Sequence, residues 1–551
     1  MQQRDSYVAR LGLILRRKFS TRFLMPGRRQ AKTALTMKLT KALLLILPVA
    51  LTTSCMVGPN YRTPDAKIEQ QWTYGSGGSA RETKQGNATW WKTFKDPVLN
   101  NLIEVAYRNN PTQQIAGVNI LQARAQLNAT IGNLFPQQQG LSGALNYTQL
   151  SLPDRRVSIG GVTSNFTADQ LLFSSSWEID FWGKFRRNIQ SAQAAYLSTV
   201  ASYDDALVTL IADVASTYVN IRTAEERIRV AQVNAESQRE SHRVAMVQFT
   251  SGETSKLDEQ QAATLLAQTE AQVPGLQNTL NQAKNALAVL LGETPDKVNH
   301  YLAGSRGIPV GSTAVVTGIP RDLLRRRPDV REAGLNAASQ SALIGVSKAN
   351  MLPALSLAGT FGFSSNNELK NSLGDIFMWQ SKAAQAGTSF FWPVFNYGRL
   401  INQVRVQDAV FQQAVLNYQN TVLTAQQDVE NSLSAYYTGK KALASFTTAA
   451  TTARRASELS LIQYKAGETD YTTVLSSEQT QLSAEDSLAS SQGNVALGLI
   501  SIYRSLGGGW EIRNQGDVIS DDVKAQMRQR TNWGQMLKPE QHLPKVPPVE
   551  P

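Results

Sequence analysis

From Lys184 to Ser251 the chain runs for 68 residues (251 − 184 + 1) without a proline or a glycine. Nothing there breaks a helix, and at about 1.5 Å of rise per residue it would extend roughly 100 Å. An ordinary globular helix has about three turns. Leu207, Leu210, Ile211, Val214, Tyr218 and Ile221 recur at three- and four-residue spacing, whereas Asp204, Asp213 and Arg222 fall on the other side. That pattern predicts an amphipathic strut with one buried stripe and one wet face. A rod of this length cannot bury its stripe alone, so other helices must lie along it. One candidate is Arg399 to Ala466, interrupted only by Gly439.

The two rods occupy equivalent places in a duplicated chain. Gly183 and Gly398, Asp213-Val214 and Asp428-Val429, Gly252-Glu253-Thr254 and Gly467-Glu468-Thr469, and Leu291-Gly292 and Leu506-Gly507 are each 215 residues apart. Pro111 and Pro328, and Pro136 and Pro353, are 217 apart. Self-similarity at one offset marks an internal repeat, and the two-residue change puts a variable, loop-bearing segment between the prolines and the glycines. We expect a first repeat over 90–318 and a second over 319–510. Long helices are expected at 184–251, 256–291, 399–466 and 471–506, each pair reversing at Gly252 or Gly467. Shorter helices precede Pro111, Pro136, Pro328 and Pro353.

Between the prolines and the rods the period changes from about 3.6 to 2. Leu171, Phe173, Ser175, Trp177, Ile179 and Phe181 alternate with Ser174, Ser176, Glu178 and Asp180, and Leu355, Leu357, Phe361 and Phe363 alternate with small or polar residues. Weaker alternation at 141–150 and 384–394 completes four strands of about ten residues, at 138–150, 166–181, 353–364 and 383–395, two per repeat. Ten tilted residues cross a bilayer as a β-strand, with Tyr147, Trp177, Phe390 and Trp392 available for interfacial girdles. Alternation alone favours a half-buried soluble hairpin, and it is the secretory leader and the lipid-anchor cysteine described below that shift the reading to the membrane. Four strands cannot close a barrel, and an open edge is not tolerated in hydrocarbon. Copies of the chain must therefore complete the sheet: two would give eight strands and a filled interior, three would give twelve and a water-filled lumen.

The first 54 residues are read as targeting sequence rather than fold. Met37 to Lys41 is basic, Ala42 to Leu51 is a ten-residue apolar run, and Thr52-Thr53-Ser54 leads to Cys55. This is a secretory leader, too short to span a bilayer. Cys55 is the only cysteine, which excludes a disulfide framework and a thiolate metal site. Its position resembles the bacterial lipobox, in which the thiol is acylated, although Thr52 stands where leucine is usual. Met56 after it, not aspartate, implies outer-membrane sorting. Residues 1–36 hold nine Lys or Arg and one acid, and Lys38 and Lys41 add two charges, so the net charge of +12 falls to 12 − 8 − 2 = +2 from Cys55 onward. The basic pI thus belongs to an upstream extension, read as a misassigned start ahead of Met37, and argues for no nucleic-acid partner.

Met56-Val57-Gly58-Pro59-Asn60-Tyr61, Trp91 to Pro97, Asp180-Phe181-Trp182-Gly183-Lys184, Ile319 to Asp329 and Leu506-Gly507-Gly508-Gly509-Trp510 together resemble the outer-membrane factor family, the TolC-like exit ducts of tripartite efflux pumps. The likeness covers the chain from Met56 to Trp510 and is strongest to the OprM/NodT-type lipoprotein branch. It implies a mostly α protomer whose four strands join a trimeric 12-stranded outer-membrane β-barrel, continuous with a long periplasmic α-barrel. It further implies a homotrimer, a periplasmic adaptor protein, an inner-membrane pump, contact with outer-membrane lipid and no enzymatic activity. Gly252, Glu253, Thr254, Gly467, Glu468 and Thr469 would then be the periplasmic tips and the adaptor contacts. In this family a ring just past the second tip narrows the resting channel, commonly an acidic residue with an apolar one a turn before it. The matching positions are Ser476 and Thr472, which depart from that pattern, and Asp258, Asp470, Tyr471 and Glu478 are the other aperture candidates.

No catalytic or metal constellation is visible: His242, His300 and His542 are scattered, and no cofactor is expected beyond the lipid on Cys55. Asp204-Asp205 and Glu178 with Asp180 read as lumenal or solvated charges, and Arg325 to Arg327 as a solvated ion-paired cluster. Residues 55–89 read as an extended surface tether and 511–551 as a flexible, polar, proline-rich tail. Export of drugs is the leading expectation. Metal-ion efflux and type I protein secretion are the alternatives within the duct class, and a structural periplasmic coiled coil is the alternative outside it.

Overall fold

A computed structural model describes residues 56–69, 72–74, 88–149, 165–304, 307–311, 325–366 and 373–543. Cys55, the leader, the upstream extension, the loop at 150–164, the Ile319-to-Leu324 part of the family signature and the last eight residues lie outside them. The helices are α1 (Pro97–Asn109), α2 (Pro111–Gly132), α3 (Lys184–Thr250), α4 (Lys256–Leu291), α5 (Pro328–Ala349), α6 (Arg399–Lys465), α7 (Tyr471–Ser505) and α8 (Asp521–Arg530), with strands β1 (Gln138–Gln149), β2 (Asn165–Glu178), β3 (Ala354–Asn366) and β4 (Lys382–Phe391).

Both rods form, each 67 residues long. They start after a left-handed glycine, Gly183 and Gly398, each at φ +77°. In the first repeat the Asp180 carboxylate accepts hydrogen bonds from the backbone N–H of Phe185 and Arg186 at 2.9 and 3.1 Å. It thereby satisfies two of the N–H groups that a helix start leaves unpaired. Each rod ends where Gly252 (φ +82°) or Gly467 (φ +73°) turns left-handed. The Glu253 N–H reaches back to the Gln248 carbonyl at 2.8 Å, and Glu468 N–H to Gln463 at 2.9 Å, closing the last turn in the six-to-one pattern of a Schellman cap. Then α4 and α7 run back along α3 and α6. Pro274 sits inside α4 without ending it.

The four strands form one antiparallel sheet in the order β1-β2-β3-β4. Beyond the two hairpins expected from sequence, β2 pairs with β3, so the repeats are stitched through the sheet. Register brings Leu141, Phe173 and Phe361 into one cross-strand row, and all three are exposed. The neighbouring row on the opposite face, Gly140, Ser174, Thr360 and Gln385, is small or polar. The outer edges of β1 and β4 have no strand partner among the described residues. Alternation carried the reading of β4 as far as 395, but pairing stops at Phe391, ahead of Pro393, which has no N–H to give a ladder.

The main core lies where α1, α2, α3 and α7 meet. Trp90 is fully buried and stacks on Tyr503 at 5.3 Å, with Leu99, Leu102, Leu207, Ile211 and Leu499 around it. The tether runs along the rods: Gln426 Nε2 donates to the Lys67 carbonyl at 2.9 Å, and the Thr73 N–H donates to Glu430 at 2.6 Å.

Three expectations are corrected. The segment after Trp510 is folded as far as Leu543: a 3-10 turn, α8 and a further short helix bury Ile512, Val518, Ile519, Met527 and Leu537. These apolar residues are sparse and follow no helical or strand period, so the sequence pattern does not mark them. Asp204 is not solvated but fully buried, with Arg513 at 2.6 Å and Arg331 at 3.4 Å. Arg327 is buried as well, bridging Asp329 and Asp428 and donating to the Ser505 carbonyl at 2.6 Å, while Arg325 and Arg326 remain exposed.

Candidate functional site

The two helical reversals carry the residues singled out from sequence. Gly252, Glu253, Gly467 and Glu468 are exposed, and Thr254 and Thr469 are half-buried. A Cβ added to Gly252 or Gly467 would meet nothing within 4 Å, so these positions are glycine for their backbone conformation rather than for want of room. Below them Val244, Ala245, Ala262, Tyr464, Tyr471 and Val474 form a small separate core. It holds α3, α4, α6 and α7 together close to their ends.

The aperture candidates divide by where they point. Tyr471 is 1% exposed and packs edge-on against Tyr464 at 5.3 Å, and burial raises its phenol's pKa. Asp470 accepts from the Thr473 N–H at 3.1 Å and its hydroxyl at 2.9 Å. These bonds cap α7 and pull the carboxyl below its ordinary range. Asp258 accepts from Ser255 at 3.3 Å in the first turn of α4. Glu478 is 3% exposed and turned inward, accepting from the Ser241 hydroxyl of α3. Tyr471 and Glu478 therefore belong to the protomer's own packing rather than to a lumenal ring. Thr472 and Ser476 are exposed one turn apart, followed on the same helix by exposed Gln479, Thr480 and Ser483. The open face of α7 at this level is hydroxyl and amide, without charge.

A polar seam between α3 and α7 went unread in the sequence. Asn234, Gln238 and Ser241 on α3 oppose Glu485, Gln481 and Glu478 on α7, and all six are buried. Asn234 donates to Glu485 at 2.7 Å, and Arg454 reaches the same carboxylate from α6 at 2.7 Å. Glu478 has no cation beside it among the described residues. Its Oε2 and both amide atoms of Gln238 lack hydrogen-bond partners, and burial raises its pKa. Glu478 and Glu485 are one heptad apart, at positions where a buried stripe ought to be apolar. That mismatch was the available signal. Further along, Arg227 grips Asp486 with both nitrogens at 2.7 and 3.0 Å, again linking α3 to α7.

The family model for outer membrane efflux protein matches residues 102–293 and 319–508, one match per repeat. The chain belongs to the outer membrane efflux protein family. Among curated relatives, Nodulation protein T of Rhizobium leguminosarum bv. viciae is 28% identical over 466 residues, covering 84% of this chain and 92% of that protein. The toluene efflux pump outer membrane protein TtgI of Pseudomonas putida is 28% identical over 465 residues, covering 83% and 96%. The solved structure of the outer-membrane channel OprN superposes with a TM-score of 0.77 at 32% identity, covering 83% of this chain and all of that one. This efflux-family protein is thus an outer-membrane channel of a tripartite efflux system, built from a helical barrel and a β-barrel.

Proposed function

We propose that three copies form a passive duct that conducts small organic molecules out of the periplasm, with no catalytic step of its own. The carrying observation is a four-stranded sheet with an apolar face, a small polar face and two outer edges that have no strand partner among the described residues. Joining the β4 edge of one copy to the β1 edge of the next removes every edge, and three copies of four strands make the twelve that leave a wet interior. Cargo class follows from the relatives, whose names include toluene and solvent efflux pumps. Cys55 carries the lipid anchor. The tips, led by Glu253 and Glu468, seat a periplasmic adaptor that connects the duct to an inner-membrane pump. Thr472 and Ser476 line the resting aperture as a neutral ring.

Detergent extraction of outer membranes should give a heat-modifiable trimer, and that trimer should conduct in planar bilayers. A stable monomer without conductance would overturn the reading. Cysteines at Glu253 and Glu468 should cross-link to the adaptor in cells, and a Cys55→Ser chain should lose radiolabelled acyl groups.

A further inference from the structure

Away from the tips, α3, α5 and α6 line a half-open cavity of about 590 Å³, to which the tether adds Tyr61 and Thr63 and the segment after Trp510 adds Arg513. Its lining is cationic: Arg325, Arg331 and Arg513 all contribute to it. Arg513 is only 2% exposed, and its Nε has no hydrogen-bond partner. Arg331 and Arg513 also lie over the Trp510 ring, at 5.4 and 5.0 Å. Asp204 is ion-paired with both Arg331 and Arg513, and Glu511 interacts electrostatically with Arg513. Arg325 has no ion pair among the described residues and lies exposed at the mouth. Three guanidinium groups thus line a cavity beside two carboxylates, Asp204 and Glu511, and a buried charged donor left without a partner is costly. The rest of the lining includes Leu197, Val200 and Leu335 and the rings of Tyr61 and Tyr418. A volume of this size is that of a site for a small organic ligand.

We propose that this cavity is a binding site for an anionic amphiphile, with its carboxylate or phosphate head on Arg513, Arg331 and Arg325 and its apolar body along Leu197, Val200 and Leu335. Guanidinium matches both head groups through paired N–H donors, and Arg325 and Arg331, which are less deeply buried than Arg513, present theirs at the cavity wall. Such a molecule would touch α3, α5, α6, the tether and the last folded segment at once, so its binding would hold the tether and that segment against the rods. Two sources fit the chemistry: an acyl lipid drawn from the membrane, or an exported anionic aromatic compound.

The test uses the full-length purified trimer and a twelve-carbon carboxylate carrying a diazirine, with the corresponding alcohol as the neutral control. Photolabelling followed by peptide mass spectrometry should place the carboxylate on peptides containing Tyr61 or Val330 to Leu335, at one site per chain. The alcohol should label them at least tenfold less. Arg325→Gln removes the exposed head-group contact without touching the Asp204 pairs. Gly334→Leu fills the cavity from α5; there the nearest atoms to an added Cβ belong to Tyr418 at 3.6 Å and Tyr61 at 3.8 Å, ordinary contact distances. Each should cut labelling about tenfold while the trimer band persists. Equal labelling by acid and alcohol, or labelling unchanged in both variants, would overturn the proposal, as would a cavity that takes up water only. Competition by benzoate would point to cargo, and a fatty acid or phospholipid recovered on solvent extraction would point to membrane lipid; either supports the site.

Discussion

Glu478 offers the sharpest test of how the seam behind the tips works. Its carboxylate is 3% exposed, its Oε2 is unpartnered, and its one hydrogen bond comes from Ser241. Burial therefore places its native pKa above the unfolded value of about 4.3. Between those two values the native protein holds a proton that the unfolded chain has released. Stability is thus greatest below this window, declines as pH rises through it and stays low above it. Glu478→Gln keeps the shape and the Ser241 bond but cannot ionise. Above the window it avoids burying an anionic oxygen without a partner, a cost of about 1–3 kcal/mol; below the window the two proteins should be nearly equal. Heat dissociation of the trimer, followed on gels from pH 5 to pH 9, should fall with pH for the wild type and change less for the variant. Histidine is the other side chain that changes charge in this range, and His242 lies 3.5 Å from Glu259 at the same level, so both proteins are also compared in a His242→Gln background. Parallel curves in that background, or a Gln variant less stable than wild type at pH 9, would refute the reasoning.

Trp90→Ala removes a fully buried ring stacked on Tyr503 and should destabilise by about 3–5 kcal/mol, seen as loss of trimer from outer membranes. Gly467→Ala forces a side chain into φ +73° with no steric contact to relieve. It should cost about 1 kcal/mol, read as a lower dissociation midpoint with unchanged conductance. Ile519→Asp buries a charge where the last folded segment meets the core; proteolysis at Lys524 and Arg528 should become rapid, whereas a flexible tail would be cut equally in both proteins.

Much of this architecture can be read from residues. Absence of proline and glycine from 184 to 251 and the 215-residue offset sufficed for the rods, their reversals and the duplication. Alternation found the strands, but a period of two does not choose a partner, and the β2–β3 pairing rests on contacts between residues about 190 apart, such as Phe173 and Phe361. At the tips the glycines were legible because a left-handed turn leaves a chemical mark. The inward turn of Tyr471 and Glu478 was not, because it depends on how α7 is rotated against α3, which is decided by packing along the whole helix. Arg513 and Asp204 are 309 residues apart and neither looks unusual alone, so their pairing left no local pattern.

The unpaired flanks of the sheet also decide how damage spreads. In a ring closed head to tail, every seam is owned jointly by two protomers, so a chain whose last strand carried an outward-facing proline would spoil a neighbour that is itself intact. Expressed beside an equal amount of normal protein and mixing at random, it would leave only about one assembly in eight free of the defect. Loss of export through the proposed trimer should therefore be dominant-negative, far more sensitive to poisoned subunits than to halved dosage.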